Sequence, residues 1–325
     1  MKQLIAILLT IVLVACQAVE NTAFGRVELK THRLEAPYLR KNLVIPFYDF
    51  GGHTFVRNDQ YIRLTADMPD QRGWILSRTP SMPDNFQVEF DFKIHGQGNA
   101  IYGDGMAFWM LTERVQEAGP VLGFKDQVKG SAILFDTYKN NRPGKGFPYV
   151  MLMSNDGTQV YDKEHDGLAN EIAGCSARGL HNPRDISKAR ITYVKGGFIS
   201  LELNYKAKDR WDLCFEVPNF ELQKPVYVGF SAQTGELSEA HDIYNMKVYR
   251  LSDPPRSYGE VDYYLNGNKN ANIREPPKKT TSSWTWKGLF TKTLLFILVV
   301  AAIYVGYTVY RAKYKGSRKR ADYLL

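Results

Sequence analysis

The sequence predicts one all-β domain of the β-sandwich or jelly-roll type, followed by a single C-terminal transmembrane helix. Three observations predict it. Residues 86–94 (Phe86-Gln87-Val88-Glu89-Phe90-Asp91-Phe92-Lys93-Ile94) alternate apolar and polar without a break, the period of a strand with one dry face. Further apolar runs of strand length follow, with almost no helical periodicity between them. An uncharged run, 293–310, lies between Lys292 and Arg311. With 325 residues and 44% apolar side chains the chain can bury a sizeable core, which excludes disorder throughout.

The chain opens with Lys2 and an apolar run, 4–15, broken only by Thr10. A positive start before an apolar stretch too short to span a bilayer predicts a signal peptide over 1–18, cleaved between Ala15 and Ala18. Leu13-Val14-Ala15-Cys16 also fits a bacterial lipoprotein signal, a reading that the far end of the chain argues against.

The main domain is predicted over 19–250. Residues 191–194, Lys195-Gly196-Gly197 and 198–203 read as a hairpin whose glycines supply positive φ. Residues 106–110, 132–135, 149–153 and 226–230 are short apolar strands, and only 112–118 hints at a turn or two of helix. The net charge of +8 invites a nucleic-acid reading, but its distribution does not. Residues 311–325 carry six Lys or Arg against one Asp, 251–292 seven against four acids, and Lys2 adds one more, which leaves 19–250 at −1. A near-neutral domain offers no surface for tracking phosphates.

Cys175 and Cys214 are the only cysteines after the signal, with 38 residues between them. In an oxidising compartment two cysteines most simply form one disulfide. A metal pair is the weaker reading, since no His or Cys partner stands at metal spacing.

Three polar stretches carry hard-oxygen chemistry. They are Gly103-Asp104-Gly105, Asp136-Thr137-Tyr138-Lys139-Asn140 and Asp162-Lys163-Glu164-His165-Asp166-Gly167. Carboxylates, an amide and a backbone carbonyl suit Ca²⁺ rather than zinc, although the spacing is not that of an EF-hand loop. Each stretch taken alone also reads as an ordinary turn.

Residues 251–288 hold Asp253-Pro254-Pro255, Asn266-Gly267-Asn268-Lys269-Asn270 and Glu275-Pro276-Pro277-Lys278-Lys279, a composition that predicts a flexible stalk without heptads. The predicted helix spans 289–310. At ~1.5 Å per residue its uncharged part reaches ~27 Å, enough for a thin bilayer of the early secretory pathway. Trp284, Trp286 and Tyr310 flank it as an interfacial belt, and the basic tail 311–325 predicts a cytosolic end, hence a type I topology. The tail ends in Tyr323-Leu324-Leu325, with no Lys at the third or fourth position from the end. That ending reads either as an export signal for vesicle coat proteins or as inert.

Taken together, these stretches resemble the intracellular L-type lectins, the leguminous-lectin-like cargo receptors of the ER and Golgi. The likeness covers residues ~30–250 and extends to the stalk, span and tail. It rests on collinear stretches: Tyr48-Asp49-Phe50-Gly51-Gly52, Gln60-Tyr61-Ile62-Arg63-Leu64-Thr65, His95-Gly96-Gln97-Gly98, Gly103-Asp104-Gly105-Met106-Ala107-Phe108-Trp109, Asp136-Thr137-Tyr138, Phe147-Pro148-Tyr149, Ala173-Gly174-Cys175, Ser231-Ala232-Gln233-Thr234-Gly235 and His241-Asp242-Ile243. Without a coiled-coil stalk the chain is most similar to the vesicular-integral-membrane-protein branch.

The resemblance implies a concanavalin A-like jelly roll that binds high-mannose N-glycans with Ca²⁺ and escorts glycoprotein cargo. Its implied addresses are the ER, the ER–Golgi intermediate compartment and the Golgi. Carried over by position, Asp136, the Tyr138 carbonyl, Asn140 and Asp166 would hold Ca²⁺. Asp104 and Asn140 would bond mannose hydroxyls, and Gly235-Glu236-Leu237 would meet the distal sugar. Two departures stand out. Lys163 occupies the place of the family's site histidine, with His165 two residues on. If the segment is extended, His165 faces the same way and can substitute; if it is a turn, Lys163 brings donors only. Glu236 adds a methylene where some members have Asp or Gly.

Two rival functions follow from the residues. Glycoside hydrolases share the jelly roll, and Glu89 and Asp91 share a strand face. No third carboxylate follows, because Lys93, Ile94 and His95 stand there, so the pair reads as the solvated face of an amphipathic strand. A glycan-independent adaptor with a structural Ca²⁺ site is the second rival. No G-x-S-x-G occurs, and no phosphate-binding glycine loop. No N-x-S/T sequon occurs either, so the chain itself is expected to lack N-glycans.

Overall fold

The computed structural model describes residues 23–80, 82–268, 297, 300–301 and 304–311. Two units divide the chain, Met1–Asn272 and Ile273–Leu325. In the second, 304–311 are helical. No helix among the described residues is long and apolar enough to cross a membrane. The predicted signal 1–18, most of the predicted span and the tail residues Tyr323, Leu324 and Leu325 lie outside the described residues.

The first unit is built from seventeen strands: β1 (Arg26–Glu28), β2 (Tyr48–Gly52), β3 (Phe55–Arg57), β4 (Tyr61–Thr65), β5 (Arg72–Ser77), β6 (Asn85–His95), β7 (Gly105–Leu111), β8 (Ala118–Gly119), β9 (Gly123–Phe124), β10 (Lys129–Asp136), β11 (Tyr149–Asp156), β12 (Glu171–Ser176), β13 (Ser187–Val194), β14 (Phe198–Asn204), β15 (Asp212–Pro218), β16 (Tyr227–Gln233) and β17 (Ala240–Leu251). One sheet runs β15-β14-β13-β6-β17-β4-β3, with β1 paired to β17; the other runs β12-β11-β10-β7-β16-β5-β2. Every pairing within the two sheets is antiparallel.

The alternation over 86–94 becomes β6, at the middle of the first sheet. Phe86, Val88, Phe90, Phe92 and Ile94 are buried, and the ring of Phe90 meets Phe108 at 5.4 Å and Phe230 at 5.0 Å from the facing sheet. Its outward residues include Glu89, which pairs with Arg26 and Arg190, and Asp91 beside Asn245. These two acids thus sit on the face of β6 opposite the core, half-buried among counter-ions and polar groups.

The second sheet is covered on both faces, which is why its strands read as continuous apolar runs rather than alternating ones. Met106, Phe108 and Met110 of β7 face the shared core, while Trp109 and Leu111 join an outer cluster with Trp74, Phe124, Leu134 and Met151. The short ribbon β8–β9 forms part of that cover. The expected turn of helix at 112–118 is corrected here: the segment bends without helical structure. Val115 alone within it is buried.

The hairpin expected at 191–203 forms as β13–β14. The expected disulfide forms between Cys175 on β12 and Cys214 on β15, with Cα atoms 5.3 Å apart. Each of those strands is the edge of its sheet, so the bond ties the two layers together at one margin.

The expected start of the stalk also needs correction. Residues 258–266 form helix α1 (Tyr258–Asn266), ended by Gly267 in the left-handed region at φ 71°. Tyr258, Val261 and Leu265 share one face and close an apolar cluster with Phe24, Val194, Phe198 and Leu251. Asn266 donates to buried Glu202 at 2.5 Å, and Arg190 reaches both Glu202 (3.3 Å) and Asn266 (2.9 Å). The polar average of the segment concealed three apolar residues at helical spacing.

Replacing both cysteines by alanine should lower the unfolding free energy by about 3–4 kcal/mol, the chain-entropy value for a loop of this length. Urea unfolding of the oxidised wild type against the double variant measures it.

Candidate ligand and metal site

The site is built at one end of the second sheet. The β7–β10 register sets Gly105 opposite Asp136, and the β7–β16 register sets Gly105 opposite Gln233. Asp104, one residue before Gly105, therefore emerges between the ends of two neighbouring strands. Glycine is required at 105: φ is 140°, and a Cβ there would lie 2.2 Å from the Phe135 carbonyl oxygen. Gly103 is closed in similarly, since a Cβ would lie 2.7 Å from that of Tyr138. The Gly103–Asp104 peptide is cis. Asp104 donates its N–H to the Gln233 carbonyl (3.1 Å) and accepts from the Thr137 N–H (3.0 Å) and the Gln233 side chain (2.9 Å).

These ends surround an open pocket of about 360 Å³. Asp104, Asp136, Tyr138, Asn140 and Asp166 line it, with Gly235 and Glu236 on the rim. The polar stretches that are distant in sequence are thus brought to one place. The rim loop is pinned to the preceding turn, where Asp70 N–H donates to Gly235 O (3.0 Å) and Thr234 Oγ1 to Met68 O (2.7 Å).

Asp136 and Asp166 are only 7% and 2% exposed. Burial pushes Asp136 well above the usual carboxylate range, and the neighbouring Asp166 adds to the shift. Asp166 accepts the backbone N–H of Asn140 on both oxygens (3.2 and 3.1 Å) and its side-chain NH₂ at 2.5 Å. With the amide nitrogen of Asn140 so committed, its amide oxygen is the atom left for a ligand. Two buried carboxylates, an amide oxygen and a carbonyl form an all-oxygen donor set that fits a hard cation such as Ca²⁺. Among the described residues no group of three or more His, Cys, Asp or Glu side chains is spaced to hold a metal ion by itself, so the set depends on the Asn140 amide and the Tyr138 carbonyl beside the two carboxylates.

Asp104 is half-buried. Burial raises its pKa, while the Lys163 ammonium and the Gln233 bond work against the rise. The alternative left open for Lys163 and His165 resolves as a turn, closed by Gly167 N–H on Asp162 O (2.7 Å). Lys163 reaches the pocket. His165 is not among the lining residues: its ring turns to Asp162 (3.0 Å), whose carboxylate raises its pKa. Leu237 likewise stays outside the lining.

Sequence reasoning missed the supports of this site. Arg142 is fully buried, two residues after Asn140. It donates to the Asp166 carbonyl (2.8 Å), pairs with Glu171 and lies over the Tyr149 ring at 4.4 Å. Tyr149 completes the group by donating to Glu171 at 2.5 Å. A lone Arg in a Gly- and Asn-rich loop carries no local signal that it is buried. Arg72, Tyr161 and Leu122 also line the pocket without having been singled out.

Fold and pocket together define a concanavalin A-like lectin sandwich. A profile of the Legume-like lectin family matches residues 26–257, and the chain belongs to that family. It is 35% identical over 267 residues to the L-type lectin-like domain-containing protein C126.08c of Schizosaccharomyces pombe, covering 82% of this chain and 81% of that one. It is 34% identical over 272 residues to the human VIP36-like protein, covering 80% and 76%. Among solved structures it is similar to the VIP36 exoplasmic/lumenal domain in its Ca²⁺/Man2-bound form, with a TM-score of 0.65, 34% identity, and 69% of this chain and 90% of that one covered.

Breaking the pair between buried Arg142 and half-buried Glu171 with Arg142→Met should destabilise the domain by about 2–3 kcal/mol, because Glu171 is left without its cation and the Asp166 carbonyl without its donor. Adding Glu171→Gln should recover part of the loss. Denaturant unfolding of the two variants against wild type measures both.

Proposed function

We propose that the protein is a Ca²⁺-dependent lectin for high-mannose N-glycans, a non-catalytic membrane receptor that carries glycoprotein cargo between ER and Golgi. The observation that carries this reading is the convergence of Asp104, Asp136, Asn140 and Asp166 on one pocket. The Ca²⁺/Man2-bound form of the similar VIP36 domain supports the choice of ligand. Asp136, the Tyr138 carbonyl, Asn140 and Asp166 would hold a hard cation, whose positive charge would favour the ionised form of Asp136. Asn140 would then be fixed beside Asp104 with its oxygen on the cation; the second N–H of its amide, the one not bonded to Asp166, and the acceptor oxygens of Asp104 would face vicinal hydroxyls. Lys163 adds donors from the side, with the Gly235-Glu236 rim beside the next sugar. Coat recognition is assigned to Tyr323-Leu324-Leu325, a terminal hydrophobic pair on a short tail of the kind that vesicle coats read as an export signal.

Calorimetry on the detergent-solubilised full chain tests the reading. Mannobiose should bind with Ca²⁺ present and not after EDTA. Asp104→Ala should abolish sugar binding with metal binding kept, and Asp166→Asn should abolish both. A folded wild type that ignores mannobiose at saturating Ca²⁺ refutes the lectin reading and leaves the glycan-independent adaptor.

Protons compete with the cation for Asp136. The upward shift of Asp136 brings that competition closer to neutral pH. Ca²⁺ affinity, and sugar affinity with it, should fall as pH goes from about 7 to 5.5. An affinity that stays flat over that range counts against this part.

A further inference from the structure

Behind the pocket lies a buried cluster that neither the sugar nor the metal assignment uses. Glu239 is fully buried, and both its oxygens are engaged. Oε1 accepts from the Thr137 hydroxyl and faces His241 Nε2 at 3.1 Å; Oε2 faces His181 Nδ1 at 2.8 Å. Burial works to raise the Glu239 pKa, but the bonds from His181, His241 and Thr137 outweigh it and hold the carboxyl at about 2. The carboxylate is therefore a fixed acceptor around which His181 is oriented.

From Glu239 the contacts run to the loop that ends at Asp104. The second nitrogen of His181 lies 2.9 Å from the Gly98 carbonyl oxygen. The His181 ring lies flat on Tyr102, with centroids 3.5 Å apart and planes 4° apart. Next to it, Asn182 grips Gly96 twice, accepting its N–H (3.1 Å) and donating to its carbonyl (3.0 Å). Segment 181–182 thus holds the loop at Gly96, Gly98 and Tyr102, two residues short of Asp104. Neither His181 nor Tyr102 lines the pocket.

We propose that His181, oriented by Glu239, is a positioning residue for sugar recognition: through Gly98 and Tyr102 it holds the 96–104 loop so that Asp104 meets the sugar in one geometry. This inference rests on the lectin reading. A carboxylate displaced by a fraction of an ångström loses its paired bonds to vicinal hydroxyls. The metal ligands assigned above, Asp136, Tyr138, Asn140 and Asp166, lie on other segments, and the cluster's bond toward them, from the Thr137 hydroxyl to Glu239, involves neither substituted residue, so the lesion falls on sugar affinity and spares metal affinity.

Two variants of the detergent-solubilised full chain test it by calorimetry, with mannobiose at saturating Ca²⁺ and with Ca²⁺ alone. His181→Phe keeps a ring against Tyr102 and removes both ring nitrogens. Tyr102→Leu keeps both nitrogens of His181 and removes the stack; Tyr102 is only partly buried, so this variant carries the test should His181→Phe fail to fold. In each folded variant the mannobiose Kd should rise at least about tenfold, while the Ca²⁺ Kd stays within about threefold of wild type. A wild type that binds mannobiose while Tyr102→Leu keeps the same affinity overturns this inference alone, as does a parallel loss of Ca²⁺ and sugar affinity. A wild type that ignores mannobiose overturns the lectin reading and this inference with it.

Discussion

The ladder at Gly105 is the constraint on which the site depends. β7 passes so close to β10 there that no side chain fits against the Phe135 carbonyl, and the same residue is in register with Gln233 of β16. Three strands therefore end together, and the polar residues that follow or precede them have no choice but to meet. The pocket is a consequence of register. A slip of one residue in β7 would turn Met106, Phe108 and Met110 out of the shared core and Trp109 into it. The apolar alternation that stabilises the sandwich thus also fixes where Asp104 emerges.

Buried charge at this end of the sheet is handled in three ways. Glu239 is matched by donors from His181, His241 and Thr137, and its carboxyl stays low. Glu171 is matched by a buried guanidinium and a phenol. Asp136 accepts from the Tyr138 N–H, with a second carboxylate nearby and its own pKa pushed up. The first two arrangements are complete without a ligand. The third is not, and Asp136, a buried carboxylate bonded to a neutral backbone N–H, is the one suited to receive a cation. Arg142 serves this contrast: it bonds the backbone of Asp166 rather than its carboxylate, so it fixes the loop without neutralising the ligand.

Local periodicity made much of the fold legible in the sequence. The run 86–94 shows its alternation because β6 has one face in the core and one toward polar neighbours. The runs 106–110 and 132–135 show only apolarity because both their faces are covered, so their partners could not be read from pattern alone. The polar stretches around Asp104, Asp136 and Asp166 were visible as residue types, and their union was suggested by resemblance. Their supports were not visible: Arg142, His181 and Glu239 act across sequence separations of 29, 83 and 102 residues, in contacts that no local pattern encodes. Helix α1 was missed for the opposite reason, since three apolar residues at helical spacing were averaged away among prolines and asparagines.

The turn at 163–167 decides what kind of recognition the pocket can offer. With His165 drawn to Asp162, the side chain beside Asp104 is the Lys163 ammonium. An imidazole can donate or accept according to its tautomer, whereas an ammonium only donates. The charge of Lys163 also counters the effect of burial on Asp104, which favours the ionised, acceptor-only form. A hydroxyl lying between the two would accept from Lys163 and donate to Asp104, so its orientation is set in advance. The substitution leaves the pocket polar and gives it a fixed direction, at the cost of a flexible four-carbon stem that must be ordered on binding.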